Sequence, residues 1–293
     1  MAIPHTPEPE NTIVFEPDKG ARKDPRSQSA RRYLVDIARY CPNGVGEAIV
    51  KKIEHRKSSE APHHEFLLCY VQDRNVPTRQ AVIRIERPNK DQATPDNGAP
   101  PAPPPTPPPA PRLSPDAMRS SSPSLFGRAI DVFTITCDIN AKRSDVTLST
   151  LIFDDNSGFT ADEVAMICQI VSESADEYNA LGHQCYWYAG MIYEIIQEIY
   201  MNRFEETLAE GNRRKGMGWG MRSVNDKKMN QNIFSSPELT SKQLSQTHLK
   251  RWPEWVADIE AKKKKRSDAE LRQELERRNE EINMLRRELA DRS

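Results

Sequence analysis

Apolar residues recur along this chain with two different periods, and a long proline-dense stretch with neither period separates them. Tyr33, Leu34, Ile37, Ala38 and Cys41 fall at helical spacing and predict a short amphipathic helix over 29–42, stopped by Pro42-Asn43-Gly44. The period then shortens. Residues 46–55, with Ala48, Val50 and Ile53, and residues 64–72, reading His-Glu-Phe-Leu-Leu-Cys-Tyr-Val-Gln, predict two strands joined by a polar loop at 56–62. Residues 80–86 alternate Ala81, Ile83 and Ile85 with Val82, Arg84 and Glu86, which predicts a third. Because successive strand side chains face opposite ways, His64 shares a face with Phe66, Leu68 and Tyr70.

Strand signals resume at 128–138 and 146–153, and two helices follow. Thr160 with Glu163 three residues later fits a capping box, with Val164, Ile167, Cys168, Val171 and Tyr178 marking one face. A second helix is expected from about 184 to 208, ending near Gly211, with Cys185, Ala189, Ile192, Ile196 and Ile199 on one side. The order strands, interruption, strands, helix, helix predicts an α+β fold, a small antiparallel sheet packed on two helices. That domain spans 29–210.

The interruption, 91–124, holds twelve of the chain's 23 prolines and reads as a disordered polyproline insertion. Residues 1–28, rich in Pro, Glu and Lys, read as a disordered N-terminus, and 211–250 as a polar loop or tail. The chain closes with a charged helix over 251–293, starting at about Pro253. There Leu271, Leu275, Ile282, Leu285 and Leu289 stand at alternating four- and three-residue steps with Arg278 as a polar member, a short coiled-coil signal.

Lys+Arg 42 against Asp+Glu 43 gives a net charge of -1, which removes the global basic footprint of a nucleic-acid binder. Five cysteines without paired spacing argue against a disulfide framework and a zinc ribbon. With no signal peptide and no apolar run of membrane length, a cytoplasmic setting is the simplest expectation. Lys262–Arg266 reads either as a solvated helix face or as a nuclear localisation signal. No cofactor is expected. Gly216–Gly220 lacks the Lys-Ser/Thr of a phosphate loop, and His63, His64 and Glu65, as strand neighbours, point to opposite faces and do not form a metal site.

Chemistry concentrates in Leu181-Gly182-His183-Gln184-Cys185-Tyr186-Trp187-Tyr188. A cysteine that opens a helix sits where the aligned peptide dipoles favour a thiolate. It also sits where an apolar helix buries a thiol, so Cys185 reads either as nucleophile or as core. A nucleophile needs a base, and His64 on an early strand is the candidate, with Glu86 or Arg84 on the next strand available to orient it. Tyr186, Trp187 and His183 are candidate cleft residues; the aromatic ones read equally well as core, and His183 as a solvated turn.

Pro62-His63-His64-Glu65-Phe66, followed by Tyr178-Asn179-Ala180-Leu181-Gly182-His183-Gln184-Cys185-Tyr186-Trp187, resembles the circularly permuted papain-like thiol hydrolases. These include the NlpC-type, lecithin retinol acyltransferase-like and PPPDE-type groups. The similarity extends to proteins of mushroom-forming fungi that share the strand histidine and the cysteine–tryptophan helix. In that superfamily a strand histidine precedes a nucleophilic cysteine that starts a helix. The resemblance covers about 45–90 and 125–205 and implies Cys185 as nucleophile and His64 as base. Gln184 stands where the family usually has Asn.

Two functions follow as expectations. One is a cysteine hydrolase or acyltransferase acting on an amide, isopeptide or ester bond. The other is a non-catalytic scaffold, with a homodimer contact through 268–289 and an SH3- or WW-type partner at 100–111. Neither reading calls for a membrane or a nucleic acid.

Overall fold

The computed structural model describes residues 10–16, 24–59, 64–88, 126–128, 131–136, 145–174, 177–179, 185–208 and 240–292. It is an α+β fold. Strands β1 (Arg26–Gln28), β2 (Ala48–Lys57), β3 (Glu65–Asp73), β4 (Gln80–Glu86), β6 (Val132–Thr136), β7 (Val146–Phe153) and β9 (Phe204–Leu208) form one antiparallel sheet in the order β1-β6-β4-β3-β2-β7-β9. Two short strands, β5 (Phe126–Arg128) and β8 (Glu177–Asn179), pair separately. Helices α1 (Ala30–Tyr40), α2 (Ala161–Ser174) and α3 (Cys185–Ile199) cover one face of the large sheet, and α4 (Ser241–Arg292) packs on α2 and α3.

The alternation read from the sequence puts Ile53, Leu67, Cys69, Ile83 and Ile85 in one continuous core with Ile167, Val171, Ile192 and Ile196 of the helices. The opposite face of β3 and β4 carries a smaller cluster of Phe66, Leu68 and Val82, flanked by Tyr70. Local capping follows the sequence. Ser29 Oγ accepts from the Arg32 N–H at 3.1 Å to start α1. Both halves of the Thr160/Glu163 box form, and Tyr200 Oη adds a donor to Glu163 at 2.6 Å.

Several expectations are corrected. Within the N-terminal 28 residues, Ile13, Val14 and Phe15 are buried in the core and 26–28 form the edge strand β1. Gly44 lets the N-terminal segment through, since a side chain there would meet Glu10 O at 2.5 Å and Asn11 Cα at 2.6 Å. The first of the two predicted helices, marked as far as Tyr178, ends at Ser174, and 177–179 pair as a strand instead. The helix expected to reach 208 ends at Ile199. Asn202 turns the chain at φ 69, a conformation Asn tolerates, and 204–208 return as β9 along β7. Glu205 and Glu206 on that outer strand supply charge at an exposed edge, which discourages pairing with another chain.

The C-terminal helix starts twelve residues before Pro253, at Ser241, and has 52 residues. Thr240 and Gln243 form its capping box, with Gln243 N–H donating to Thr240 Oγ1 at 3.3 Å and Thr240 N–H to Gln243 Oε1 at 2.8 Å. A proline inside a helix costs about 3 kcal/mol. Burial of Leu244, His248 and Ile259, with Trp252 and Trp255 packed on the core, offsets it. Ser241 and Ser245 donate to the two oxygens of Glu198 at 2.7 and 3.1 Å, tying the start of α4 to α3.

The proline-rich insertion (91–124), its 100–111 run, Gly216–Gly220, His63, His183, Gln184 and Cys137 lie outside the described residues. No described helix is long and apolar enough to cross a membrane.

Candidate active site

The site is assembled at one end of the sheet. His64 immediately precedes β3, Glu86 ends β4, and Cys185 is the first residue of α3. In the antiparallel ladder Leu67 faces Ile85 and Leu68 faces Arg84, so the start of β3 lies beside the end of β4. That register brings His64 Nε2 within 2.9 Å of Glu86 Oε2. α3 packs across β2, β3 and β4, and its first residue meets the same ring: the Cys185 thiol is hydrogen-bonded to the His64 side chain. Cys185, His64 and Glu86 thus form one connected chain of side chains, from residues 121 positions apart.

Arg84 completes the arrangement on the outer face. Its guanidinium donates to Glu86 Oε2 at 2.8 Å and lies over the Phe66 ring at 3.7 Å. The His64 ring stacks toward Phe66 with centroids 6.2 Å apart. All three bonded groups are shielded but not sealed: His64 is 13% exposed, Glu86 18%, and Cys185 is half-buried.

Electrostatics follow from these contacts. Burial works to lower the His64 pKa, but the bonds from Cys185 and Glu86 and their negative charge outweigh it and carry it from 6.5 up to about 9. Burial works to raise Glu86, yet His64 and Arg84 hold it down at about 2. At neutral pH the ring is therefore an imidazolium held between a carboxylate and a sulfur at a helix N-terminus. Cys69 and Cys168 contrast with this: both are fully buried, and desolvation pushes their thiols up. Cys41 is buried beside Thr12 Oγ1 at 2.9 Å.

Of the aromatic candidates, Tyr186 is half-buried, Trp187 is partly buried against the core, and Tyr188 is fully buried. A further residue was not visible from sequence. Arg87, next to Glu86, turns to the helix side, fully buried, and bonds Asp131 through two nitrogens, Nη2 to Oδ2 at 2.8 Å. Its guanidinium lies 4.6 Å from the Tyr188 ring and 5.5 Å from that of Trp187, and Ser172 Oγ donates to Asp131. A charged residue at each edge of a proline-dense interruption was the available signal, but nothing in the spacing paired them. Among the described residues no cluster of His, Cys, Asp and Glu is arranged to hold a metal ion.

Comparison with protein-family models, with curated proteins and with solved structures returned no match.

Proposed function

We propose that this protein is a cysteine-dependent hydrolase or acyltransferase, of the permuted papain-like kind, acting on an amide, isopeptide or ester bond. One observation carries the reading: the His64 ring is bonded both to the Cys185 thiol and to the Glu86 carboxylate. This is the nucleophile, base and orienting group that thiol catalysis requires.

His64 holds the proton of Cys185, and the sulfur adds to the acyl carbon, forming a C–S bond. The oxyanion develops near the N-terminus of α3, whose dipole favours negative charge. His64 then gives its proton to the leaving nitrogen or oxygen as that bond breaks, leaving a thioester. Water, or another acceptor, gives a proton to His64 and attacks the thioester, and the thiol is released. Glu86, kept ionised by Arg84, holds the ring in place and stabilises its charged form.

The test is alkylation of the folded protein with iodoacetamide, mapped by mass spectrometry. Cys185 reacts faster than the same cysteine in denatured protein, and Glu86→Gln lowers the pH at which His64 titrates. If Cys185 reacts no faster than in denatured protein and Cys185→Ala leaves total labelling unchanged, the enzyme reading is lost.

A second reading, the scaffold, draws on the C-terminal helix, where Leu271, Leu275 and Ile282 are exposed. It assigns a homodimer contact to 268–289 and an SH3- or WW-type partner to 100–111. Both assignments are compatible with catalysis. We place the protein in the cytoplasm, with Lys262–Arg266 as the segment that would direct it to a nucleus.

A further inference from the structure

We infer that the projecting half of α4 pairs with a second copy of this chain in parallel and in register, setting two Cys185 sites at the same end of one dimer. The inference rests on the homodimer reading of 268–289 and adds the polarity that reading lacks.

The first half of α4 is spoken for: Leu244, Ser245, His248 and Ile259 are buried against the domain. Beyond it the helix leaves the domain, and its large apolar residues stand in solvent, Leu271 at 65%, Leu275 at 62% and Ile282 at 46% exposure. The four- and three-residue steps place Leu275, Ile282 and Leu289 at the a positions of a heptad, and Leu271, Arg278 and Leu285 at d.

The flanking charges choose the direction. The g positions are Glu274, Glu281 and Glu288; the e positions are Arg272, Asn279 and Arg286. In a parallel pair, each g residue faces an e residue of the partner five positions on, so Glu281 meets Arg286 and Glu274 meets Asn279. In an antiparallel pair, g faces g and e faces e, which sets Glu against Glu and Arg against Arg. Arg278 fixes the register. Within its own helix it donates to Glu274 Oε1 at 3.0 Å, a carboxylate it shares with Arg277, so its charge is partly offset when it lies beside its counterpart. A slipped register would press it against a leucine. Parallel pairing leaves both domains at the N-terminal end of the coil.

Sedimentation equilibrium of the full chain tests this, with circular dichroism to confirm that each variant is folded. Wild type sediments as a dimer, and Leu275→Asp with Ile282→Asp weakens association by about a hundredfold or more. Glu281→Arg weakens it by about tenfold, and adding Arg286→Glu restores it. A monomeric wild type overturns the dimer altogether, and the rate of Cys185 alkylation then still reports separately on the enzyme reading. A dimer indifferent to the two seam substitutions overturns this interface. A dimer that the charge reversal strengthens, or that the double exchange fails to restore, overturns the parallel direction alone.

Discussion

His248 and His64 are both largely shut away from water, and they end in opposite states. His248, on α4, is 1% exposed, and neither ring nitrogen has a hydrogen-bond partner among the described residues. It lies flat against Trp252, with ring centroids 6.3 Å apart and planes 9° apart. Burial alone acts on it and pushes its pKa down to about 4. His64 pays the same desolvation penalty, yet rises to about 9, because a thiol and a carboxylate bond its ring. The difference shows that burial makes a histidine an apolar plate by default and that partners make it a cation. Only the second has a proton to exchange with a sulfur at neutral pH.

The comparison can be sharpened by substitution. The largest effect belongs to the nucleophile. Cys185→Ala removes fast alkylation and any acyl-enzyme completely, whereas Cys69→Ala and Cys168→Ala leave both in place; intact-mass spectrometry after a timed pulse distinguishes them. Next is the base: His64→Ala slows turnover of an activated ester by on the order of 10²- to 10⁴-fold. The same variant changes the pH dependence of stability. A raised histidine stabilises the fold fully below its ordinary 6.5 and loses that contribution as pH rises through about 9, so the alkaline limb of a Tm–pH curve flattens in His64→Ala. Glu86 works at the other limb, where its contribution is present above 4.5 and lost as pH falls through about 2.

A smaller effect, confined to stability, comes from a buried carboxylate remote from the site. Asp162 accepts from Tyr33 Oη and from the Gly46 N–H, each at 2.7 Å. Asp162→Ala orphans both donors and costs about 1–3 kcal/mol in urea unfolding, with Cys185 reactivity unchanged. The smallest belongs to the partnerless histidine. His248→Phe changes stability by less than about 1 kcal/mol at neutral pH, since no hydrogen bond is lost. It also removes an acid-side weakness. A depressed histidine stabilises above 6.5 and loses that as pH falls through about 4, so the variant outlasts wild type between those values in a pH-resolved thermal melt.

Much of this arrangement was legible in the pattern of residues. The 80–86 strand stands where its alternation put it, the 146–153 strand where the strand signal resumed, and α1 and α2 start at their caps. Cys185 opens its helix, and His64 and Glu86 lie at adjoining strand ends, because strand periodicity and helix starts are local properties. What escaped notice depended on distant partners. Ile13, Val14 and Phe15 sit in a polar, proline-containing stretch whose composition hides three core residues. Phe204 to Leu208 is strand because β7 offers an edge, not because five residues announce it. Pro253 looked like a helix start, while the Thr240–Gln243 capping box upstream marked the true one. Arg87 and Asp131 meet only once the sheet has formed, and no sequence spacing encodes that meeting.

That last pair bears on how the long proline-dense passage is tolerated. Glu86 and Val132 are direct ladder partners, and Arg87 and Asp131 are locked together just beyond them. The chain between is therefore a ring closed at its neck and tied a second time at Phe126–Arg128, which pair with Glu177–Asn179. The entropic cost of closing such a ring grows only with the logarithm of its length, about 0.6 kcal/mol for each doubling. Once the neck is fastened, the number of residues in the ring hardly registers in the folding equilibrium. Residues added to the sequence between Arg87 and Phe126 would therefore cost the strand that carries Glu86 little.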